Sequence, residues 1–263
     1  MTPALAWLIH RTQELRLAAM FLTRLPMGRI ERQMQLGQSS WSWPLIGAGL
    51  GLCFAALLTG AQWIGLPLWP AVVLAMGISL LLTGGLHEDG LADLADGSGA
   101  RGDAAARLEA MRDSRLGSYG ALALIFALGW QAALWSSLSS AQIWAVAVVV
   151  AAGSRAALPL WMGRFKAARA NGMAQHAQHG DSPLRQGAAL LIGLALVLAV
   201  SWWQTGPFWG DALAAYGLCI AAQGGLCLYA RRMLGGITGD VLGAAQVIGQ
   251  AVALAVLVVG AAG

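Results

Sequence analysis

Three aspartates, Asp89, Asp93 and Asp96, stand at i, i+4 and i+7 in the stretch from Gly84 to Gly97. At about 100° per residue a helix places such a set in one narrow arc. Like charges at that spacing repel by roughly 0.2–0.5 kcal/mol per pair. The apolar run 71–86 leads directly into them, so hydration alone relieves the repulsion poorly. A hard divalent cation relieves it better, and Mg²⁺ on carboxylate ligands also recruits phosphate. The expectation is a metal site at Asp89, Asp93 and Asp96 serving phosphoryl chemistry, with a solvated acidic loop as the alternative.

Further polar motifs interrupt the apolar sequence. In Met111-Arg-Asp-Ser-Arg-Leu-Gly117, Arg112 and Arg115 are three apart and can share a helix face. Their guanidinium forks suit phosphate oxygens, whereas the alternative is a basic membrane anchor. Asp113 could pair with them, bind metal or act as a base. Arg155 follows Ser154 near the end of an apolar segment. It either holds phosphate or reaches to the headgroups. In Gly235–Ala244, the glycines can open a helix start to an anion. Thr238 either bonds phosphate or caps that helix, and Asp240 is either a helix-terminal charge or a site carboxylate. His176 and His179 form an HxxH pair without a third ligand nearby in sequence, so no metal is expected there. The run Asp93-x-x-Asp96-Gly-x-x-Ala-Arg101 opens like the CDP-alcohol phosphotransferase signature, but the further spaced aspartates that complete it are absent.

The elements that must carry these residues are membrane spans. Of 263 residues, 58% are hydrophobic and 11% charged, against about 25% charged in a soluble domain. The class is all-α, a polytopic membrane protein. Apolar segments of about 20 residues lie near 41–60, 66–86, 119–138, 141–160, 188–206, 212–230 and 241–262, seven in all. Residues 5–25 mix Trp7, Leu8 and Phe21 with Arg11, Glu14 and Arg16, which suits an amphipathic helix lying at the interface. The chain reads as one domain, 1–263, with an interfacial segment 1–40 and a bundle 41–262. No cleavable leader is evident, and Cys53, Cys219 and Cys227 read as small core residues.

Basic residues set the orientation. Arg11, Arg16, Arg24, Arg29 and Arg32 precede the first span, and the remaining basic residues fall in alternate loops or at Arg155. The N-terminus and every long polar loop are therefore expected in the cytoplasm. A retinal protein is excluded, because the only lysine, Lys166, sits in a loop.

Together the segments Phe21–Pro26, Trp43–Gly47, Gly84–Asp96, Met111–Gly117, Ser154-Arg155 and Gly236–Ala244 resemble the cobalamin synthase family, in its order and over about residues 20 to 250. The resemblance implies a bacterial or archaeal membrane enzyme of the last steps of cobalamin assembly; with the orientation read from the basic residues, the expectation is a protein of the bacterial inner membrane with its active site facing the cytoplasm. Its activity would be that of an adenosylcobinamide-GDP ribazoletransferase: joining adenosylcobinamide-GDP to α-ribazole or its 5′-phosphate, releasing GMP, with Mg²⁺. It implies metal binding by Asp89, Asp93 and Asp96 and roles for Arg112, Asp113 and Arg115 in the second motif, with Thr238 and Asp240 in the third. Arg24 and Arg155 join the substrate-binding set. The position of Glu88 need not be acidic in relatives, and Val247 and Gln250 stand where relatives often carry acids.

The chemistry expected is positioning and charge neutralisation of a diphosphate. Arg112 and Arg115 would assist departure of GMP, and Asp113 or Asp89 would act as base. Partners are the two substrates and the bilayer, without nucleic acid; self-association is left open. The rivals are a CDP-alcohol-type transferase on a lipid alcohol and an ion-coupled transporter. Transport needs access from both faces, whereas these polar motifs share one.

Overall fold

The computed structural model describes residues 2–30, 34–169, 172–203 and 208–262; Arg32 and the end of the expected fifth span, 204–206, lie outside them. The named elements are all helices: α1 (Pro3–Leu22), α2 (Trp43–Trp63), α3 (Leu68–Thr83), α4 (Leu86–Gly99), α5 (Ala104–Ala110), α6 (Ser118–Trp135), α7 (Ser140–Ala156), α8 (Leu158–Arg164), α9 (Met173–Gln178), α10 (Pro183–Trp203), α11 (Phe208–Leu234) and α12 (Gly239–Ala262), with a 3₁₀ turn at Leu36–Ser42 before α2. Six helical stretches, those of α2, α6, α7 with α8, α10, α11 and α12, are long and apolar enough to cross a membrane.

The expected second span departs from a straight crossing. It ends at Thr83, and α4 leaves at 89° to α3. Gly84 and Gly85 make this corner, with φ of +72° and +65°, a left-handed pair that side chains with a Cβ adopt at a cost. Counted with α4, the broken helix is a seventh candidate span. Its second half carries the acidic cluster.

Small residues draw the bundle together. A β-carbon on Gly47 or Gly51 of α2 would run into the Ala151 and Ala147 carbonyls of α7. This is the close, small-residue crossing expected where lipid supplies no hydrophobic drive between helices. Pro159, lacking an N–H, sits in the first turn of α8 and separates it from α7. Among the described residues two large apolar cores result, beside a small cluster of Ala48, Val148 and Ala152. One, around Phe54, Trp135, Ile143 and Leu254, fills the half far from α4. The other, around Leu22, Trp43, Leu158, Ile237 and Val241, lies beneath the acidic end.

Exposed Trp63, Trp69, Trp202, Trp203 and Trp209 gather at the far helix ends, as an interfacial aromatic belt does. Helix α1 turns a charged stripe inward. Glu14 is fully buried, accepts from Trp41 Nε1 at 2.7 Å, and faces Arg11 and Arg185. Leu5, Trp7, Leu8 and Ile9 are left on the outside.

Candidate functional site

The acidic helix lies across the start of α12. Gly90 makes the crossing: a β-carbon there would stand 2.7 Å from the Asp240 carbonyl oxygen. One turn on, Gly243 meets the backbone of His87. This contact puts Asp93 in the electrostatic field of Asp240, Asp89 and Asp96, with Arg169 opposing. Asp240 in turn faces Arg169 and Asp89. Both readings of the third motif hold in part. Thr238 caps α12, its Oγ1 accepting the Val241 N–H at 3.2 Å, and it donates to Asp240 Oδ2 at 3.1 Å. Asp240 is a first-turn acid and also part of the acidic group.

Asp96 has a second task. Its two carboxylate oxygens accept the backbone N–H groups of Gly117 and Gly120, each at 2.8 Å. A carboxylate at this end is favoured by the helix dipole and satisfies donors that α6 cannot pair internally. Asp96 thereby ties the acidic helix to the start of α6.

The basic side holds a residue that the motifs did not suggest. Arg169 lies 3.7 Å from Asp240 and donates from Nη2 to the Leu108 carbonyl at 2.7 Å. Backbone pairing puts it there: Ala168 N–H donates to Ile237 O at 2.8 Å, and Ile237 N–H to Lys166 O at 2.9 Å. Burial pulls its guanidinium below the usual range, opposed by Asp240, with Arg112 adding to the effect. Arg112 and Arg169 line a groove of about 770 Å³.

Arg112 and Arg115 do not share a helix face. They occupy the turn between α5 and α6, because α5 stops at Ala110 and α6 begins only where Asp96 caps it. Arg115 is 87% exposed and holds Asp113 at 2.6 Å. This hydrogen-bonded pairing pushes the Asp113 carboxyl down to about 2.

Arg24 packs against Gly84 at the α3–α4 corner and borders a cavity of about 740 Å³ with Glu88 and Asp89. On the other side of Asp89 an apolar chamber of about 240 Å³ runs under α9, with Asp240 at its edge. Arg155 lies deeper, lining a small chamber of about 80 Å³ with His87, Glu88, Gln131, Gln246 and Gln250. It donates to the Ala151 carbonyl at 3.1 Å, while its Nε and Glu88 Oε2 have no hydrogen-bond partner among the described residues, although the two side chains attract each other electrostatically. A chain of hydrogen bonds, Gln250 to Gln131 at 2.7 Å, Gln246 to Gln250 at 2.8 Å and Gln246 to Ser154 at 3.0 Å, lines up behind them. Gln250 thus serves a buried amide network.

The structure therefore brings Asp89, Asp93, Asp96, Thr238 and Asp240 together and puts Arg24 beside Asp89. Arg155 sits behind them, and Arg112, Asp113 and Arg115 lie towards the exposed rim. His176 and His179 rings are 6.4 Å apart near α9. Among the described residues no three His, Cys, Asp or Glu side chains form a ready-made metal cage. Mg²⁺ does not require one, because it keeps waters and is commonly held by one or two carboxylates plus substrate phosphates. Asp89, Asp93 and Asp240 offer carboxylate oxygens, the hard donor type that this ion takes.

Comparison with known proteins places this arrangement. A curated relative from Azorhizobium caulinodans, an adenosylcobinamide-GDP ribazoletransferase, is 42% identical over 87% of this chain and 89% of its own length. Relatives of the same name from Bradyrhizobium diazoefficiens and a Shewanella species are 38% and 35% identical over at least 92% of both chains. No solved structure matches. The sequence profile described as cobalamin-5-phosphate synthase matches residues 14–258; with the acidic helix, the Thr238–Asp240 cap and the second motif all inside that range, the chain belongs to the cobalamin-5-phosphate synthase family.

Proposed function

We propose that this protein is an adenosylcobinamide-GDP ribazoletransferase. It joins adenosylcobinamide-GDP to α-ribazole or its 5′-phosphate and releases GMP. Beyond family membership, one observation supports the reading: where α4 crosses α12, Asp89, Asp93 and Asp240 lie within electrostatic range of one another, with Arg169 at 3.7 Å from Asp240. Carboxylates next to arginines suit a diphosphate that must be held and then parted.

Asp89 and Asp93, with Asp240 facing them and Asp96 fixed by α6, would hold Mg²⁺. The ion, when bound, neutralises phosphate charge and lowers the barrier to departure of GMP. Arg169 and Arg112 bind the non-reacting phosphate oxygens and orient the donor. A ribazole hydroxyl attacks the phosphorus that carries cobinamide. The new P–O bond forms as the bond to GMP breaks, and the hydroxyl proton passes to a carboxylate. Of the two base candidates, Asp89 fits better, since it borders the cavities beside the acidic crossing. Asp113 is held as an anion by Arg115 and is a weak base. Arg24 borders the cavity suited by size to part of the corrinoid.

The arginine-rich helix ends and loops argue for a bacterial inner-membrane protein with the acidic end in the cytoplasm, where a GDP-linked substrate is available. The test is GMP release by detergent-purified protein. Release that requires adenosylcobinamide-GDP, ribazole and Mg²⁺ together is expected. Release without ribazole, or none with all three, overturns the reading.

A further inference from the structure

An apolar chamber opens beside Asp89. Its volume is about 240 Å³, and its walls include Phe21, Trp43, Leu158, Met173, Ala174 and Ala177. The Phe21 and Trp43 rings lie 5.5 Å apart at 32°, forming an aromatic corner. Among the described residues, Asp89 and Asp240 are the carboxylates on its lining, and His87 is the one histidine there.

Resting on the transferase reading, we infer that this chamber receives the aromatic base of the acceptor nucleoside. Three observations carry the assignment. Size comes first: about 240 Å³ accommodates a bicyclic base, whereas a corrin macrocycle cannot enter. Polarity comes second. Asp89 and Asp240 can accept from a guanine N–H edge, but the rest of the lining is mostly apolar, so the remaining polar edges of that base would stay unpaired, at a cost that disfavours it. A dimethylbenzimidazole is almost wholly apolar and stacks on aromatic rings.

Continuity is the third. The chamber shares Met173, Ala174, Gly239 and Asp240 with a narrow passage that reaches Thr238 and Arg169. Arg169 in turn lines the Arg112 groove. A base seated in the chamber sends its ribose out between Asp89 and Asp240. The attacking hydroxyl then meets the carboxylates, and the donor diphosphate meets the arginines beyond them. Apolar enclosure of one part of a substrate with a few polar groups at the mouth is the usual build of a small-molecule site.

The chamber also becomes the specificity device. Ala174 and Ala177 are buried on α9, with 2% and 3% exposure, and their small side chains leave the space that the ring methyl groups would fill. Ala177→Val and Ala174→Val narrow it by modest volumes. The KM for the dimethylbenzimidazole nucleoside should rise about tenfold, the scale on which a pocket reads one methyl group. The unmethylated benzimidazole nucleoside should be affected less, and the KM for adenosylcobinamide-GDP should not move. An equal rise for both nucleosides, or a rise for the corrinoid substrate, overturns the assignment.

A measurement on the unaltered protein removes dependence on folding of the variants. Free 5,6-dimethylbenzimidazole should inhibit GMP release competitively with ribazole and not with adenosylcobinamide-GDP. Competition with the corrinoid substrate, or no inhibition up to its solubility, overturns the assignment. Failure of the transferase reading itself would appear separately, as no GMP release by unaltered protein.

Discussion

At the scale of single residues, the acidic group divides into carboxylates that face one another and one that also builds structure. Asp89→Asn, Asp93→Asn and Asp240→Asn remove charge with little change of shape. Each should lower turnover by about 10²-fold or more, the scale for losing one charge-stabilising group, while the protein still inserts and purifies normally. Asp96→Asn differs. An amide offers one acceptor oxygen where two N–H groups, from Gly117 and Gly120, need accepting. Its loss should therefore appear in the thermal midpoint as well as in turnover, measured side by side with Asp93→Asn. The arginines separate in the same way. Arg169→Lys keeps the charge but loses the fork that spans Asp240 and the Leu108 carbonyl, so the KM for adenosylcobinamide-GDP should rise. Arg115→Lys, at an exposed pair, should cost less, because exposed ion pairs contribute little. Steady-state kinetics on both variants check the ranking, and a larger defect in Arg115→Lys would restore the second motif as the main phosphate contact.

At the scale of elements, the α4–α12 crossing decides the site. Gly90→Ala should place its methyl group against the Asp240 backbone and force the two helices apart, removing activity with little change in expression. Gly77→Ala on α3, where a β-carbon meets nothing within 4 Å, is the matched control for the same assay. Much of this layer is legible in the chain. Spans announce themselves by uninterrupted apolarity, and the i, i+4, i+7 spacing puts Asp89, Asp93 and Asp96 along one helix as read. Other parts are hidden for physical reasons. The corner at Gly84-Gly85 is written as two glycines, but its 89° angle depends on α4 docking on α12. Arg169 reaches Asp240 only because Ala168 and Ile237, far apart in sequence, pair through their backbones. Arg112 and Arg115 have helical spacing, yet the cap that Asp96 gives to α6 starts that helix after them. Gln246 and Gln250 stand at i, i+4, a spacing that could have suggested a polar stripe within α12; their partner Gln131 lies on another helix.

At the scale of the whole molecule, the alternation of spans puts α4, α5, α8 and α9 at one end and the belt of Trp63, Trp69, Trp202, Trp203 and Trp209 at the other. Reporter fusions after Gly102, Gln175 and Leu234 should read cytoplasmic, and fusions after Gly65 and Ser137 external; a reversed pattern would put the acidic end outside the cell. The corner after Thr83 bears on the surrounding lipid as well. Helix α3 has 16 residues and so rises only about 24 Å at 1.5 Å per residue, against roughly 30 Å of hydrocarbon. The bilayer must thin beside it, or the corner must lie below the headgroups with water drawn in above it. Either adjustment ties the acidic helix to the height of the local membrane surface, at fractions of a kcal/mol per Å of mismatch. The enzyme should accordingly read acyl-chain length: in vesicles of single-length phosphatidylcholines, turnover should peak in the shorter-chain bilayers and fall as the chains lengthen, and a flat profile would show that α3 does not sense thickness.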